Sequence, residues 1–204
     1  MSVTQYAQVV VDRAEIRQVV EAWALWRDSG MWAELEAAYT PDGRMSSGGS
    51  SGTIQEFIAF SKEFTKNAKI RPLHVIGSSK ISVNGDRATA ETRVTVLLRG
   101  VLHGIEADVT AYGRQFDKFL RHEGRWRIKE RTPIYDRDRI DPVDPAATIP
   151  LDAARLAGYP KEYRHMSYFN DVLGITPSNL ALPTLASAAE TKLYADGAAW
   201  LAGE

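Results

Sequence analysis

The sequence contains no cysteine, so disulfide bonds, thiolate nucleophiles and cysteine-ligated metal sites are all excluded. This absence is consistent with a reducing compartment. The chain also has no apolar run near the roughly 20 residues that a membrane-spanning helix requires. Its residues 1–6 lack the basic-then-apolar order of a secretion signal. We therefore expect a soluble cytoplasmic protein that makes no contact with a membrane.

An excess of charge of either sign is also missing. The 25 lysines and arginines nearly balance the 26 aspartates and glutamates, which leaves a formal net charge of −1. Nucleic-acid binding depends largely on an excess of positive charge that neutralises phosphates. We therefore expect no nucleic-acid partner.

Histidine is scarce, with four copies in the whole chain, at positions 74, 103, 122 and 165. A metal site with two histidines and a carboxylate needs a closer histidine spacing than this. No Gly-x-Ser-x-Gly sequence of a serine hydrolase occurs. The Gly- and Ser-rich stretch 44–52 is not followed by the Gly-Lys-Ser/Thr of a phosphate-binding loop. We therefore expect neither a metal nor a cofactor.

The first third of the chain has helical patterns. With 204 residues, 44% of them hydrophobic, the chain is long enough for a substantial core. Asp12 and Glu15 are spaced like a capping box that begins a helix, and Ser29-Gly30 indicates its end. The apolar residues between these points form one stripe at helical spacing: Ile16, Val19, Val20, Trp23 and Ala24 or Trp26.

Two shorter helices are predicted next. One covers Met31 to Tyr39 and is followed by a turn at Thr40-Pro-Asp-Gly43. Thr53 and Glu56 form a second capping box. They begin a helix that carries three phenylalanines on one side: Phe57, Phe60 and Phe64.

Four strands follow, because the hydrophobic period changes from helical to alternating. The first runs from Leu73 to Val83 and ends at Asn84-Gly85-Asp86, a strong signal for a tight hairpin. The other three are predicted over Ala88 to Leu98, Ile105 to Leu120 and Trp126 to Tyr135. Helices followed by consecutive strands predict an α+β fold in which a curved antiparallel sheet wraps around the three helices.

The tail, residues 138–204, differs from the domain at residues 1–137. Prolines interrupt it repeatedly, and short helices are predicted near Leu151 to Ala157, Tyr163 to Leu173 and Ala186 to Leu201. The tail is too rich in aromatic residues to stay in solvent. We expect this helical C-terminal extension to pack on the domain, to cap a pocket or to join two subunits.

Asp28 is the residue that suggests a functional site. It lies at the end of an apolar helix, where an unpaired carboxylate would be costly to bury. We hypothesise that its partner is His74, which begins a strand, with Arg131 nearby, and that the three line a small-molecule pocket. The alternative is that Asp28 and Arg131 form a structural ion pair and His74 only fills space.

The sequence resembles the SnoaL-like branch of the nuclear transport factor 2 superfamily. The resemblance covers roughly residues 8 to 137 and rests on the order of elements and on four segments: residues 12–16, Asp28, Pro72-Leu-His74 and residues 124–131. It implies a cone-shaped barrel of curved sheet around the helices. It also implies that Asp28 orients His74 as a base and that Arg131, on the last strand, faces the same cavity.

The same resemblance implies a cofactor-independent lyase that acts on a hydroxylated aromatic or polycyclic molecule. The reaction would be a base-assisted loss of water, or a loss of water coupled to carbon–carbon cleavage that releases formaldehyde. Two alternatives stay open: an isomerase of the ketosteroid-isomerase kind with a carboxylate base, and a non-catalytic binding protein. Members of this branch commonly form dimers or trimers.

Aromatic residues are the candidates for the cavity wall. A tyrosine among them could donate a hydrogen bond to a substrate oxygen, and Tyr112 and Tyr135 are the first choices for this role. The full set of wall candidates is Trp23, Trp26, Tyr39, Phe57, Phe60, Tyr112 and Tyr135.

Overall fold

The computed structural model describes residues 2–68, 70, 72–175 and 181–204, with the backbone alone at residues 67 and 68. Helices come first, the sheet second and shorter helices last. The elements are α1 (Val3–Ser29), α2 (Trp32–Ala37), β1 (Tyr39–Ser46), β2 (Ser51–Thr53), α3 (Ile54–Ala68), β3 (Leu73–Asn84), β4 (Arg87–Leu102), β5 (Ile105–His122), β6 (Arg125–Pro142), α4 (Ala153–Ala157), α5 (Arg164–Val172) and α6 (Ala188–Ala202).

Helix α1 begins earlier than the sequence pattern indicates. Its cap is Ser2, whose hydroxyl accepts a hydrogen bond from the Gln5 N–H while the Gln5 side chain accepts one from the Ser2 N–H. The prediction that Asp12 is the cap was wrong. Asp12 lies inside the helix and is buried, and its carboxylate accepts hydrogen bonds from Arg121 and Trp126 of the sheet. These distant partners explain why an aspartate is buried inside the helix. Nothing in the sequence near Asp12 indicates them.

The other helix signals are confirmed. Gly30 follows α1 with a φ of 71°, the left-handed conformation that ends a helix. Thr53 and Glu56 form the predicted capping box, with the Thr53 N–H donating to the Glu56 carboxylate at 2.7 Å. The short second helix is also present, but Tyr39 belongs to β1 rather than to this helix.

One six-stranded sheet has the strand order β2-β1-β6-β5-β4-β3. The predicted α+β class with a curved sheet is confirmed. Two details differ from the prediction. Strands β1 and β6 are parallel, so the sheet is mixed. The sheet is also open between its edge strands β2 and β3, so it is not a closed barrel. No hairpin joins β1 to β6, and their relative direction is therefore not fixed by a short connection.

The predicted turn at Thr40-Pro-Asp-Gly43 is part of β1. The pairing of β1 with β6 changes register between Tyr39 and Arg44, so the four residues form an irregular stretch of strand. Proline has no N–H to donate, which makes such a break in the ladder a suitable place for it. The prediction of a turn here was wrong, because these residues lie within β1.

The four strands of the meander, β3 to β6, are longer than predicted. The hairpin at Asn84-Gly85-Asp86 is confirmed, with Gly85 at a φ of 60°. Strand β6 runs through residue 137 and ends at Pro142, beyond the expected start of the tail. Near its middle, β5 shifts register against β6 beside Gly113, where an added Cβ would lie 2.2 Å from the Ile134 carbonyl oxygen.

The buried apolar residues form two large clusters on the inner side of the sheet. One cluster joins the three N-terminal helices to the sheet and includes Trp23, Phe57 and Ile128. The other joins the sheet to the tail and includes Tyr163 and Phe169. The tail therefore packs on the sheet of the same chain. Helix α6 packs separately, through a small cluster with Phe116 and Ile134 of the sheet.

Candidate active site

A pocket opens between the inner face of the sheet, α1, α3 and α5. Its empty volume is about 870 Å³, including the open mouth. Small-molecule sites are mostly apolar with a few polar groups, and the lining of this pocket has that composition. Met166 and Asn170 of α5 belong to the wall, so the tail closes one side of the pocket. The predicted wall residues that do line the pocket are Trp23, Phe57, Phe60, Tyr112 and Tyr135.

Asp28 and His74 make a two-point contact at the edge of this pocket. Oδ1 of Asp28 lies 2.6 Å from Nδ1 of His74, and Oδ2 accepts a hydrogen bond from the His74 backbone N–H at 2.7 Å. Their side chains are 15% and 11% exposed. An ionised carboxylate only accepts hydrogen bonds, so Nδ1 carries the proton of this contact, and in a neutral ring the lone pair is then on Nε2. Among the described residues, Nε2 has no hydrogen-bond partner.

The helix end and the strand start explain this contact. Gly30 stops α1 directly after Asp28, so the carboxylate projects from the last turn toward the beginning of β3. His74 is the second residue of β3, and it lines the pocket. The edge of Trp23, one helical turn before Arg27, faces the imidazole, with 5.4 Å between the ring centroids. The histidine ring is therefore held from two sides, by a carboxylate and by an indole.

Arg131 does not line the pocket, which corrects the expectation from the resemblance. Its guanidinium is fully buried and forms two hydrogen bonds with Asp117, at 2.6 and 2.7 Å. It lies against the ring of Trp23, at 4.4 Å from the centroid. The Trp23 indole thus contacts both Arg131 and His74. The alternative ion pair of Asp28 with Arg131 is also absent, because each has another partner.

Two predicted wall residues also lie outside the pocket lining. The Tyr39 hydroxyl accepts a hydrogen bond from Trp23 Nε1 at 3.0 Å, and the tyrosine is buried in the core. Trp26 is partly buried against the N-terminal core cluster. The buried face of α1 continues instead through Trp23 and Ala24 to Arg27.

Tyr135 is the buried hydroxyl of the pocket wall. Burial raises the pKa of Tyr135, to which the neighbouring Tyr163 adds, while a hydrogen bond from the Gly48 backbone partly opposes the shift. The phenol therefore stays protonated at neutral pH. No acceptor among the described residues takes a hydrogen bond from the Tyr135 O–H, which can therefore donate to a ligand. Tyr112 differs, because its ring lies beneath the Arg137 guanidinium at 5.4 Å.

Sequence reasoning missed several polar residues of the wall, among them Arg27, Gln115 and Asn170. Gln115 is 4% exposed, and its Oε1 and the Oδ1 of Asn170 are buried without a hydrogen-bond partner among the described residues. Buried amide oxygens normally accept a hydrogen bond. A ligand with hydroxyl or N–H donors would satisfy them. Only Arg27 had a signal in the sequence, because it continues the apolar stripe four residues after Trp23.

The remaining histidines lie outside the pocket lining. His165 repeats the geometry of His74, since its Nδ1 lies 2.7 Å from Asp138 Oδ1 while Oδ2 accepts from the Met166 N–H. His103 Nε2 lies 2.9 Å from the Tyr168 hydroxyl. Within the described ranges, no cluster of three histidine, aspartate or glutamate side chains is arranged to hold a metal.

The chain belongs to the SnoaL-like domain family, whose pattern matches residues 8–132. Pea pathogenicity protein 2 of Fusarium vanettenii is 30% identical over 165 residues, which cover 80% of this chain and 71% of that protein. An uncharacterized protein of Emericella nidulans is 27% identical over 171 residues, covering 80% and 72% of the two chains. The resemblance stated from the sequence is therefore confirmed.

Solved structures show the same fold. A putative scytalone dehydratase from Novosphingobium aromaticivorans has a TM-score of 0.58 and 17% identity, over 66% of this chain and 90% of that one. A type 2 hexachlorocyclohexane dehydrochlorinase has a TM-score of 0.57 and 12% identity, over 71% and 95% of the two chains.

Among the described residues, no helix is long and apolar enough to cross a membrane.

Proposed function

We propose that the protein is a cofactor-independent lyase that removes water from a hydroxylated aromatic or polycyclic small molecule. The observation that carries this proposal is the two-point contact of Asp28 with His74 on the wall of an apolar pocket. A carboxylate on Nδ1 holds the ring and makes Nε2 a better base. Membership of the family supports a role in processing small molecules. Two solved structures with the same fold are named as a putative dehydratase and a dehydrochlorinase.

The proposed step balances without a cofactor. His74 Nε2 takes a proton from the carbon next to the one that bears the hydroxyl group. The electrons of that C–H bond form the new double bond, and the C–O bond breaks. The imidazolium of His74 returns the proton to the departing hydroxyl, which leaves as water. Tyr135 donates its hydrogen bond to an oxygen of the substrate on which negative charge develops.

This reaction assigns Asp28 the role of orienting His74. Both carboxylate oxygens of Asp28 are engaged by His74, and Asp28 lines the adjoining surface groove rather than the pocket. A carboxylate base of the ketosteroid-isomerase kind would need an oxygen directed at the substrate. The contacts therefore favour His74 over Asp28 as the base. A release of formaldehyde by carbon–carbon cleavage would use the same base and is an extension of this proposal.

The test is the turnover of a panel of hydroxylated aryl and diaryl compounds, with the loss of water followed by mass spectrometry. We expect His74→Ala to lower turnover about 10²–10⁴-fold. Asp28→Asn should lower it as well and shift the pH profile, since the ring loses its charged partner. His122→Ala, on the β5–β6 hairpin, is the matched control and should leave turnover unchanged. Full activity of His74→Ala would refute the proposal.

A further inference from the structure

Arg27 is a buried cation with no hydrogen-bonded partner among the residues that the structure describes. It lies on the last turn of α1 and is 6% exposed. Within the described chain, no carboxylate or carbonyl oxygen accepts a hydrogen bond from its guanidinium. Its immediate neighbours are two aromatic rings, with Cζ at 5.7 Å from the Trp32 centroid and 5.8 Å from the Phe57 centroid. A buried guanidinium normally has a carboxylate or phosphate partner, because its desolvation is costly.

The charged groups around Arg27 also do not compensate for the burial of its guanidinium. Burial lowers the pKa of Arg27 to about 10, and the charge of Asp28 only partly offsets this effect. Asp28 is not that partner in the structure: its two oxygens contact His74, and neither accepts a hydrogen bond from Arg27. At neutral pH the arginine is still protonated. A positive charge thus lies beside two aromatic rings, and no carboxylate of the described residues is hydrogen-bonded to it.

Arg27 also lies where two spaces meet. It lines the inner pocket together with His74, and it lines the surface groove at the end of α1. That groove carries two further cations, Lys62 and Lys66, and the Lys62 ammonium lies 5.9 Å from the Trp32 ring centroid. The acidic residue of the groove lining is Asp28, which is engaged by His74. Positively charged side chains therefore line the groove from the surface to Arg27.

We propose that Arg27 binds a carboxylate group of the substrate, with the aromatic part of the same molecule in the pocket beside His74. A guanidinium matches a carboxylate with two parallel hydrogen bonds, and the pair is strongest where water is excluded. One buried cation between two rings neutralises a single negative charge, which favours a carboxylate over a doubly charged phosphate. The proposal rests on the proposed function only for the position of the reacting carbon.

The test compares three probes that share one aromatic ring system by isothermal titration calorimetry. The probes are 2-naphthoate, the neutral 2-naphthamide and 2-naphthyl phosphate, each added to the full chain at about pH 7, where Arg27 is charged. We expect 2-naphthoate to bind at least about tenfold more tightly than 2-naphthamide. Equal affinities would overturn the proposal, and tighter binding of the phosphate would overturn the choice of a carboxylate.

Variants connect this preference to Arg27. Arg27→Met keeps the apolar stem and removes the charge, so the preference for naphthoate should disappear while the melting temperature is unchanged or higher. An arginine with a purely structural role would instead give a lower melting temperature and an unchanged preference. If Arg27→Met fails to fold, Arg27→Lys must weaken naphthoate binding, because an ammonium lacks the two-pronged geometry.

Two controls separate this proposal from the lyase proposal. Arg17→Met changes a partly exposed arginine on the same helix, one that pairs with Glu21, and should keep the preference for naphthoate. His74→Ala should also keep it, because binding of the carboxylate does not need the base. A protein that prefers naphthoate but turns over no substrate would thus retain the acid site and lose the proposed reaction.

Discussion

Asp117 and Arg131 face each other on β5 and β6 and form a fully buried, two-pronged ion pair. Their side chains are 0% exposed, and the two hydrogen bonds measure 2.6 and 2.7 Å. The pair lies behind Trp23, whose other neighbours are His74 and Phe57. The ion pair therefore supports the Trp23 indole in the pocket wall. The proposed reaction depends on the pair only because the pair helps to hold this indole in position.

Breaking this pair should be far more costly than replacing it. Arg131→Met leaves a buried carboxylate alone, and we expect a loss of about 3–5 kcal/mol in the free energy of unfolding. The double variant Asp117→Leu/Arg131→Met should recover most of that loss. Urea denaturation of the wild type, both single variants and the double variant measures the coupling. Additive losses would contradict the view that the pair acts as one unit.

Helix α6 should be sensitive to a single methyl group. Ala normally stabilises a helix by about 0.8–1 kcal/mol relative to Gly. At Gly197, however, an added Cβ would lie 2.4 and 2.7 Å from two atoms of the Phe116 ring, which is buried. We expect the clash to prevail, so that Gly197→Ala lowers the free energy of unfolding by about 1–3 kcal/mol.

The control for Gly197→Ala removes the obstacle. In a Phe116→Ala background the same change should become neutral or stabilising, because only the helix preference remains. Thermal unfolding of the four proteins gives the comparison. A destabilising effect of the same size in both backgrounds would show that contact with Phe116 is not the cause.

Asp138 should give the fold a distinct pH dependence. Burial raises the pKa of Asp138 above its ordinary value of 3.8, and hydrogen bonds from Met166 and His165 oppose the shift. The folded state therefore holds the proton more tightly than the unfolded chain. The resulting stabilisation is complete below 3.8 and is lost as the pH rises through the folded-state pKa.

The measurement uses Asp138→Asn as the reference. The free energy of unfolding of the wild type, minus that of the variant, should fall as the pH increases from 3.8 toward neutrality. Urea denaturation over this pH range provides both curves. A difference that rises with pH would mean that the hydrogen bonds to the ionised carboxylate outweigh its burial.

Tyr135 should matter for turnover through its hydroxyl proton. Tyr135→Phe removes the donor and should lower kcat by about 10–10³-fold, with a smaller change in KM, because charge develops mainly in the transition state. Steady-state kinetics on a substrate found by the panel above measures both constants. Tyr6→Phe, on the exposed start of α1, is the matched control. A change in KM alone would assign Tyr135 to ground-state binding.

Features set by neighbouring residues were predictable from the sequence. Gly30 ends α1, Asn84-Gly85 makes the hairpin, and Thr53 with Glu56 begins α3, because each signal and its effect lie within a few residues. The family and the curved sheet were predictable too, since the order of the elements and their hydrophobic periodicity indicate both.

Features set by distant partners were not predictable. Asp12 was assigned as a cap because nothing nearby indicates that Arg121 and Trp126 lie against it. Arg131 was assigned to the cavity because its sequence does not reveal that Asp117 is its partner on the adjacent strand. Arg27 was overlooked because a charged residue on an apolar stripe is usually expected at the surface.

The tail contacts residues that lie far before it in the sequence. These contacts can form only after the tail has been synthesised. The sheet has all its strands once Pro142 has been added, but the wall supplied by α5 and the carbonyl groups that receive Arg87 and Asn84, on Trp200 and Leu201, come later. Contacts this far apart in the chain are slow to form. During synthesis, Asp28 and His74 are therefore in the chain before α5, which supplies Met166 and Asn170 to the pocket wall.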